Sequence, residues 1–356
     1  MVYCKINLEN NVNAVYKPGD RLKGTIELFL QQPIKIRGFY FVLLGRAKCH
    51  WTEGRDHFKG ENFYLNSKTY LFGGPNAEAR EVDKGTHRFG FSRELPSLIP
   101  GSFESPIGYI KYHIEAFLDV PSDINEKFLS PFKVVRNDNL NNDPSLSREE
   151  TKWFELSCVG SEPLLIDLSL PQSGYIPGEE ITLTVKIDNQ SNYLMTRCIL
   201  YLKKIIKYKS DRKTKKIEIL LTSKESSKGV PPKSSVELIE SVIVPEGVEF
   251  SNSKYCDVIQ ISYLLTFEVI SPSVSGDIKI TFPLTIGAIP LAIGTFQPLR
   301  TRHSQPSVPR LATIQRNNQN SVAAANRYED PPPSFEEAIR NCPRSSAPLY
   351  YEEDFS

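Results

Sequence analysis

From Ile110 to Val120 apolar and polar side chains alternate. Ile110, Tyr112, Ile114, Ala116, Leu118 and Val120 fall on one side and Lys111, His113, Glu115 and Asp119 on the other, with Phe117 the one exception. A period of two is the spacing of a strand that keeps one face in a core and the other in water, so His113 is expected on a solvent face. The same pattern predicts strands over residues 24–30, 37–52, 181–187, 236–244, 258–270 and 278–286. Pro283 has no amide proton for a ladder, which puts the last of these at a sheet edge or a bulge. No helical spacing is sustained before Phe296. The fold class is therefore all-β, with antiparallel sandwiches as the expected architecture.

One turn signature punctuates this pattern twice. Tyr16-Lys17-Pro18-Gly19-Asp20 leads into one strand, and Tyr175-Ile176-Pro177-Gly178-Glu179 leads into another, 159 positions later. Proline presets φ and the following glycine accepts a positive φ, so each copy is a tight turn feeding a strand. Two similar β-domains in tandem follow from the offset, one over residues 1–146 and one over 147–296. The polar run 136–145 is the connection between them or a loop beside it. Beyond Phe296 the composition shifts to Pro, Arg, Ser, Asn and Gln, which cannot bury enough apolar surface to offset chain entropy. Residues 297–356 are expected to form a disordered tail.

Composition narrows the function classes. Forty-three Lys and Arg stand against 42 Asp and Glu in 356 residues, so no global field draws the chain to nucleic acid, and any electrostatic partner must meet a local patch. The six cysteines form no CxxC pair and sit mostly among strand-like residues, as small buried hydrophobes do in a reducing compartment. No disulfide, zinc or other cofactor is expected. The first residues hold no apolar signal segment, which predicts a cytosolic protein. Asn189-Gln190-Ser191 matches a glycosylation sequon and is read as chance. The five histidines show no HxxxH or HExxH spacing, and GxSxG, Walker A and GxGxxG sequences are absent, so an enzyme is not expected.

Several stretches together resemble the arrestin domain-containing proteins, the α-arrestins. These are the opening turn at residues 16–20, the strand 38–53, the segment from Leu95-Pro96 to Pro100-Gly101-Ser102-Phe103-Glu104, the second turn at 174–179 with Asp188-Asn189-Gln190-Ser191, and the closing run 282–291. The resemblance implies two arrestin-like sandwiches and a trafficking adaptor that grips a membrane receptor or transporter and links it to ubiquitination or endocytic machinery. It also implies a cytoplasmic location at the periphery of the plasma membrane or endosomes. A structural coat or retromer-like sorting subunit of the same fold, working without a ligase, is the alternative.

Two local features carry that reading. Glu329-Asp330-Pro331-Pro332-Pro333-Ser334-Phe335 looks like the family's PPxY motif with Phe335 in place of tyrosine, and Ala347-Pro348-Leu349-Tyr350 looks like a second copy with Ala347 in place of the first proline. Such motifs recruit WW domains of HECT-type ubiquitin ligases, here through Pro332, Pro333, Phe335, Pro348 and Tyr350, by docking polyproline rungs on an aromatic groove. Low-complexity sequence without a function is the competing reading. The second feature is a basic stretch with Lys203, Lys204, Lys207, Lys209, Arg212, Lys213, Lys215 and Lys216 against one carboxylate, Asp211. On a strand–turn–strand hairpin these cations would fan over one face. They could hold an anionic surface, either phospholipid headgroups or a phosphorylated or acidic cargo tail. Alternatively they only blunt a solvated edge strand.

Overall fold

The computed structural model describes residues 2–9, 13–121, 126–157, 160–226, 229–272 and 277–292. The first domain holds β1 (Val2–Leu8), β2 (Val15–Tyr16), β3 (Arg21–Leu30), β4 (Ile34–Ile36), β5 (Gly38–Glu53), β6 (Asp56–Gly73), β7 (Arg80–Val82), β8 (Gly85–Glu94), β9 (Phe103–Ser105), β10 (Gly108–Asp119) and β11 (Glu126–Val134). One sheet runs β1-β3-β8 and the other β2-β11-β10-β5-β6, with β9 on β10 and a separate β4-β7 pair. The second domain holds β12 (Glu150–Leu156), β13 (Leu164–Leu170), β14 (Gly174–Tyr175), β15 (Glu180–Asn189), β16 (Arg197–Lys209), β17 (Thr214–Glu225), β18 (Ser234–Ile243), β19 (Ile259–Ile270) and β20 (Ile278–Ile286). Its sheets run β12-β13-β15-β18 and β14-β20-β19-β16-β17.

Alternation decides which side chains make each core. On β3, Leu22, Ile26, Leu28 and Leu30 are buried between exposed or half-exposed neighbours, and they meet Phe39, Phe41, Ile110 and Ile114 of the other sheet. Phe39 against Phe89 and Phe41 against Phe91, at 5.4 and 5.0 Å between ring centroids, tie the two sheets together. Ile166, Leu183, Val185, Tyr263, Phe267 and Phe282 do the same work in the second domain. Each such side chain contributes about 1.5–3 kcal/mol, an upper figure because the unfolded chain already hides some apolar surface.

The repeated turn is repeated in three dimensions. Gly19 and Gly178 both adopt positive φ, +85° and +84°. In the first copy the Asp20 amide bonds the Lys17 carbonyl, the Asp20 carboxylate accepts from the Lys17 amide, and the Gly19 amide reaches Leu95. In the second the Glu179 amide bonds Ile176, its carboxylate accepts from the Ile176 amide, and the Gly178 amide reaches Val244. The tyrosines that open the turns, Tyr16 and Tyr175, are buried on two-residue strands that run parallel to β11 and β20. Pro283 stands opposite Leu264 of β19, two residues before β14 joins the other side of β20, so its missing donor falls on an unpaired edge. Pro131 occupies the same place on β11, opposite His113 and two residues before β2 joins.

The polar side of β10 is less exposed than its alternation predicts. Glu115 is buried, and the His113 side chain, 12% exposed, lies mostly covered beside it. On the outer face of this sheet Lys127 of β11 reaches Glu115 and lies over the Phe117 ring, Tyr40 of β5 stacks on Phe117, and Lys68 of β6 lies over Tyr40, so that these side chains fill space that water would occupy.

Candidate functional site

The basic stretch does form a hairpin, β16–β17, at the edge of its sheet, turning at residues 210–213. Its cations do not share one face. Lys207 lies opposite Lys216, and Lys203 and Lys209 are in phase with Lys207, so these four project from the outer face. Lys204 and Lys215 point the other way, and Arg212 and Lys213 sit in the turn.

Most of the charge is already answered. Lys203 and Lys216 both pair with Glu218, at 3.1 and 2.6 Å, and Lys204 pairs with Glu249 at 2.7 Å. Lys213 pairs with Glu53 of the first domain, and Lys215 stands 3.9 Å from the same carboxylate. The Lys213 bond holds the Glu53 carboxyl below its ordinary range. Arg212 donates to the His57 carbonyl at 3.4 Å and, with Lys213, lies over Phe58, which stacks on Trp51. Among the described residues, Lys207 and Lys209 are the two cations of the hairpin with no ion pair.

The tip of the hairpin is thus a joint between the domains. The Cys49 thiol donates to the Lys209 carbonyl at 3.4 Å, and the Tyr208 hydroxyl donates to Ser105 Oγ at 2.9 Å. A Cβ on Gly60 would run into the Lys209 carbonyl, so only glycine lets β6 approach this closely. Beside it the Tyr64 hydroxyl donates to Cys256 Sγ at 3.4 Å and accepts from the Asp257 amide at 2.8 Å. At the other end of the joint, Arg136 chelates Asp138, donates to the Ile99 carbonyl at 2.7 Å and lies 3.3 Å over the Tyr255 ring.

Sequence reasoning missed a cleft of about 690 Å³ on the outer face of the first domain's larger sheet. Arg46, Lys111, His113 and Lys133 line it over the rings of Phe103 and Tyr109. Glu104 answers Lys111 at 2.7 Å and Glu61 answers Arg46 at 3.1 Å, which leaves Lys133 as the cation of the lining with no ion pair among the described residues. Next to the cleft Glu115 accepts from His113 Nε2 at 2.8 Å and Lys127 Nζ at 2.7 Å. Burial pushes this carboxyl up, but the two donors outweigh it and hold it down at about 2. The cleft's cations are spread over positions 46 to 133 and meet only through strand pairing, so no local motif announces them.

Other residues close off chemistry. Cys4, Cys49 and Cys198 are buried, and desolvation raises their thiols to about 12, 11 and 11. Asn189 is fully buried, its amide donating to the carbonyls of Tyr193, Val230 and Pro231, which leaves no room for a glycan. Among the described residues no three His, Cys, Asp or Glu side chains stand close enough to hold a metal. No helix among them is long and apolar enough to cross a membrane. Pro332, Pro333, Phe335, Pro348 and Tyr350 lie outside the described residues.

The profile described as "Arrestin (or S-antigen), N-terminal domain" matches residues 4–141, and the corresponding C-terminal profile matches residues 160–291. The chain belongs to the arrestin family. Among its relatives, mouse "Arrestin domain-containing protein 1" is 26% identical over 326 residues, 89% of this chain and 72% of that protein. "Arrestin domain-containing protein 17" of Caenorhabditis elegans is 26% identical over 305 residues, 80% of this chain and 70% of its own length. Mouse "Arrestin domain-containing protein 4" matches at 26% over 202 residues, 52% of this chain and 49% of its own. The two arrestin profiles fall one on each sandwich, and the tandem fold is that of two arrestin domains.

Proposed function

We propose that this arrestin-family protein is a non-enzymatic trafficking adaptor that joins a membrane receptor or transporter to a HECT-type ubiquitin ligase or endocytic machinery. The observation that carries this reading is the combination of two arrestin domains with a C-terminal segment holding two PPxY-like sequences in 22 residues, Pro332 to Tyr350 among them. In this reading the cleft around Lys133, with Lys207 and Lys209 on the outer face of the β16–β17 hairpin, meets an acidic or phosphorylated cargo tail or anionic phospholipid. The protein then works at the cytoplasmic face of the plasma membrane or of endosomes.

Each tail sequence lacks one element, so each binds a WW domain weakly. Phe335 keeps the ring but lacks the hydroxyl, worth about 0.5–1.5 kcal/mol, or roughly threefold to tenfold in affinity. Two weak sites on one segment recover affinity against a ligase with several WW domains through effective concentration. Calorimetry with a peptide spanning residues 329–355 is the test. Phe335→Tyr should tighten binding to a single WW domain, and Phe335→Ala with Tyr350→Ala should abolish binding to a multi-WW protein. No binding of the natural peptide to a multi-WW protein would favour the second reading, a sorting subunit that needs no ligase. The missing motif elements at Phe335 and Ala347 are what speak for it.

A further inference from the structure

The smaller sheets of the two domains, β1-β3-β8 and β12-β13-β15-β18, occupy equivalent places in the repeat. Their outer faces differ in charge. On β12-β13-β15-β18 the outward positions carry Glu155, Asp167, Glu180, Asp188 and Glu237 against one cation, Lys186. Large apolar side chains stand among these carboxylates: Trp153 is 74% exposed, Ile239 71% and Ile243 58%. Trp153, Asp167, Lys186 and Glu237 form one row across all four strands, and Thr151, Ser169, Thr184 and Ile239 form the next. A shallow cleft of about 360 Å³ opens beside the Trp153 ring between these rows.

On β1-β3-β8 the outward positions carry Lys5, Arg21, Lys23 and Arg88 against Glu27 and Glu94. Two aromatic side chains are exposed there as well, Tyr3 at 57% and Phe29 at 42%. Each face thus offers exposed apolar side chains of the kind that mark association surfaces, and the charge around them is opposite in sign.

We propose that the acidic face of one copy of this chain receives the basic face of a second copy. Two sheet faces stack with side chains interdigitated, as sheets do within a sandwich. Here Trp153 and Ile239 of one copy cover Tyr3 and Phe29 of the next, inside a rim where Asp167 and Glu237 meet Lys5 and Lys23. The contact is heterologous, so it builds a ring where the rotation closes and an open row with an unused face at each end where it does not.

The full-length chain tests this by sedimentation velocity over a concentration series at low and high salt. Weight-average mass should rise with concentration and fall with salt, because the rim charges are solvent-screened. An acidic-both variant, Lys5→Glu with Lys23→Glu, and a basic-both variant, Asp167→Lys with Glu237→Lys, should each need at least about tenfold more protein to associate. Mixed one to one, the two variants should associate again, since each supplies the face the other lacks. Circular dichroism and thermal midpoints matching the unaltered chain separate lost association from lost fold. A chain that stays monomeric throughout overturns the proposal. So does variant association equal to that of the unaltered chain, or a mixture no better than its parts.

Discussion

The two domains share a plan down to single residues, and where they part the second domain has replaced carbon with hydrogen bonds. β5 begins at Gly38 and β16 at Arg197, the same 159-residue step that separates Pro18 from Pro177. Tyr112 on β10 and Tyr263 on β19 both send a hydroxyl to the carbonyl of a preceding loop, those of Pro100 and Glu249. At the end of β3, however, Leu30 fills a dry position, whereas at the end of β15 the same step arrives at Asn189. That buried amide closes the loops around Tyr193 and Val230, and Ser191 Oγ donates to its Oδ1. A plan can therefore be held by apolar volume or by a satisfied polar network. The second is the more fragile to substitution, because its partners cannot turn to water.

The largest test of that contrast is Asn189→Leu, which gives the second domain the residue of the first. It takes one donor each from the Tyr193, Val230 and Pro231 carbonyls, which keep the Ser191 hydroxyl, the Met195 amide and the Ser234 hydroxyl, and it removes the acceptor of Ser191 Oγ; the loss should be about 3 kcal/mol, read from the urea midpoint at constant slope. A loss below about 0.5 kcal/mol would mean that the amide is decoration and that the two strand ends are equivalent.

A second test compares the two sides of the joint. Gly60→Ala drives a methyl into the backbone carbonyl of Lys209, which has to move, at a cost of about 1–3 kcal/mol. Gly108→Ala would meet Cys49 Cβ, Ile259 Cδ1 and the Lys48 carbonyl oxygen, each at 3.0 Å against 2.0 Å for the Lys209 carbonyl at Gly60, and should cost less. Hydrogen exchange at the Lys209 amide, which bonds Val258, should quicken more in the first variant. Equal effects would remove the asymmetry.

The smallest effect concerns Glu115. Its folded-state pKa of about 2 lies below the ordinary carboxylate value near 4.5, so its contribution is present above that value and is lost as pH falls from there towards 2. Glu115→Gln should flatten the acid limb of a stability profile by about 1–2 kcal/mol, with the curves of the two proteins converging at pH 2. An unchanged acid limb would assign acid sensitivity elsewhere.

How much of this was legible follows from where the partners lie. The strands and paired turns are written locally, in the alternation from Ile110 to Val120 and in the two Pro-Gly steps, and a reader of the chain finds them. The two arrestin domains followed from short stretches whose order matters more than any one of them. The division of the lysines did not, because Glu53 is 160 residues from Lys213 and nothing near either position mentions the other. The burial of Glu115 escaped for the same reason, since its cover comes from β11. Polar alternation marks the side turned away from the core, not whether other side chains lie over it.

The joint has one more property, visible when its residues are placed on the repeat. Cys49 and Tyr208 are equivalent positions, and each reaches into the opposite domain, the first to the Lys209 carbonyl and the second to Ser105. The two halves therefore meet through the same position of the repeat, though on different partners. Contacts gathered at such a joint act as a pivot, while the strands that leave it are long lever arms. The part of β6 beyond Gly60, out to Gly73, extends about 44 Å, so a twist of about 10° at the joint would sweep its far end through about 8 Å.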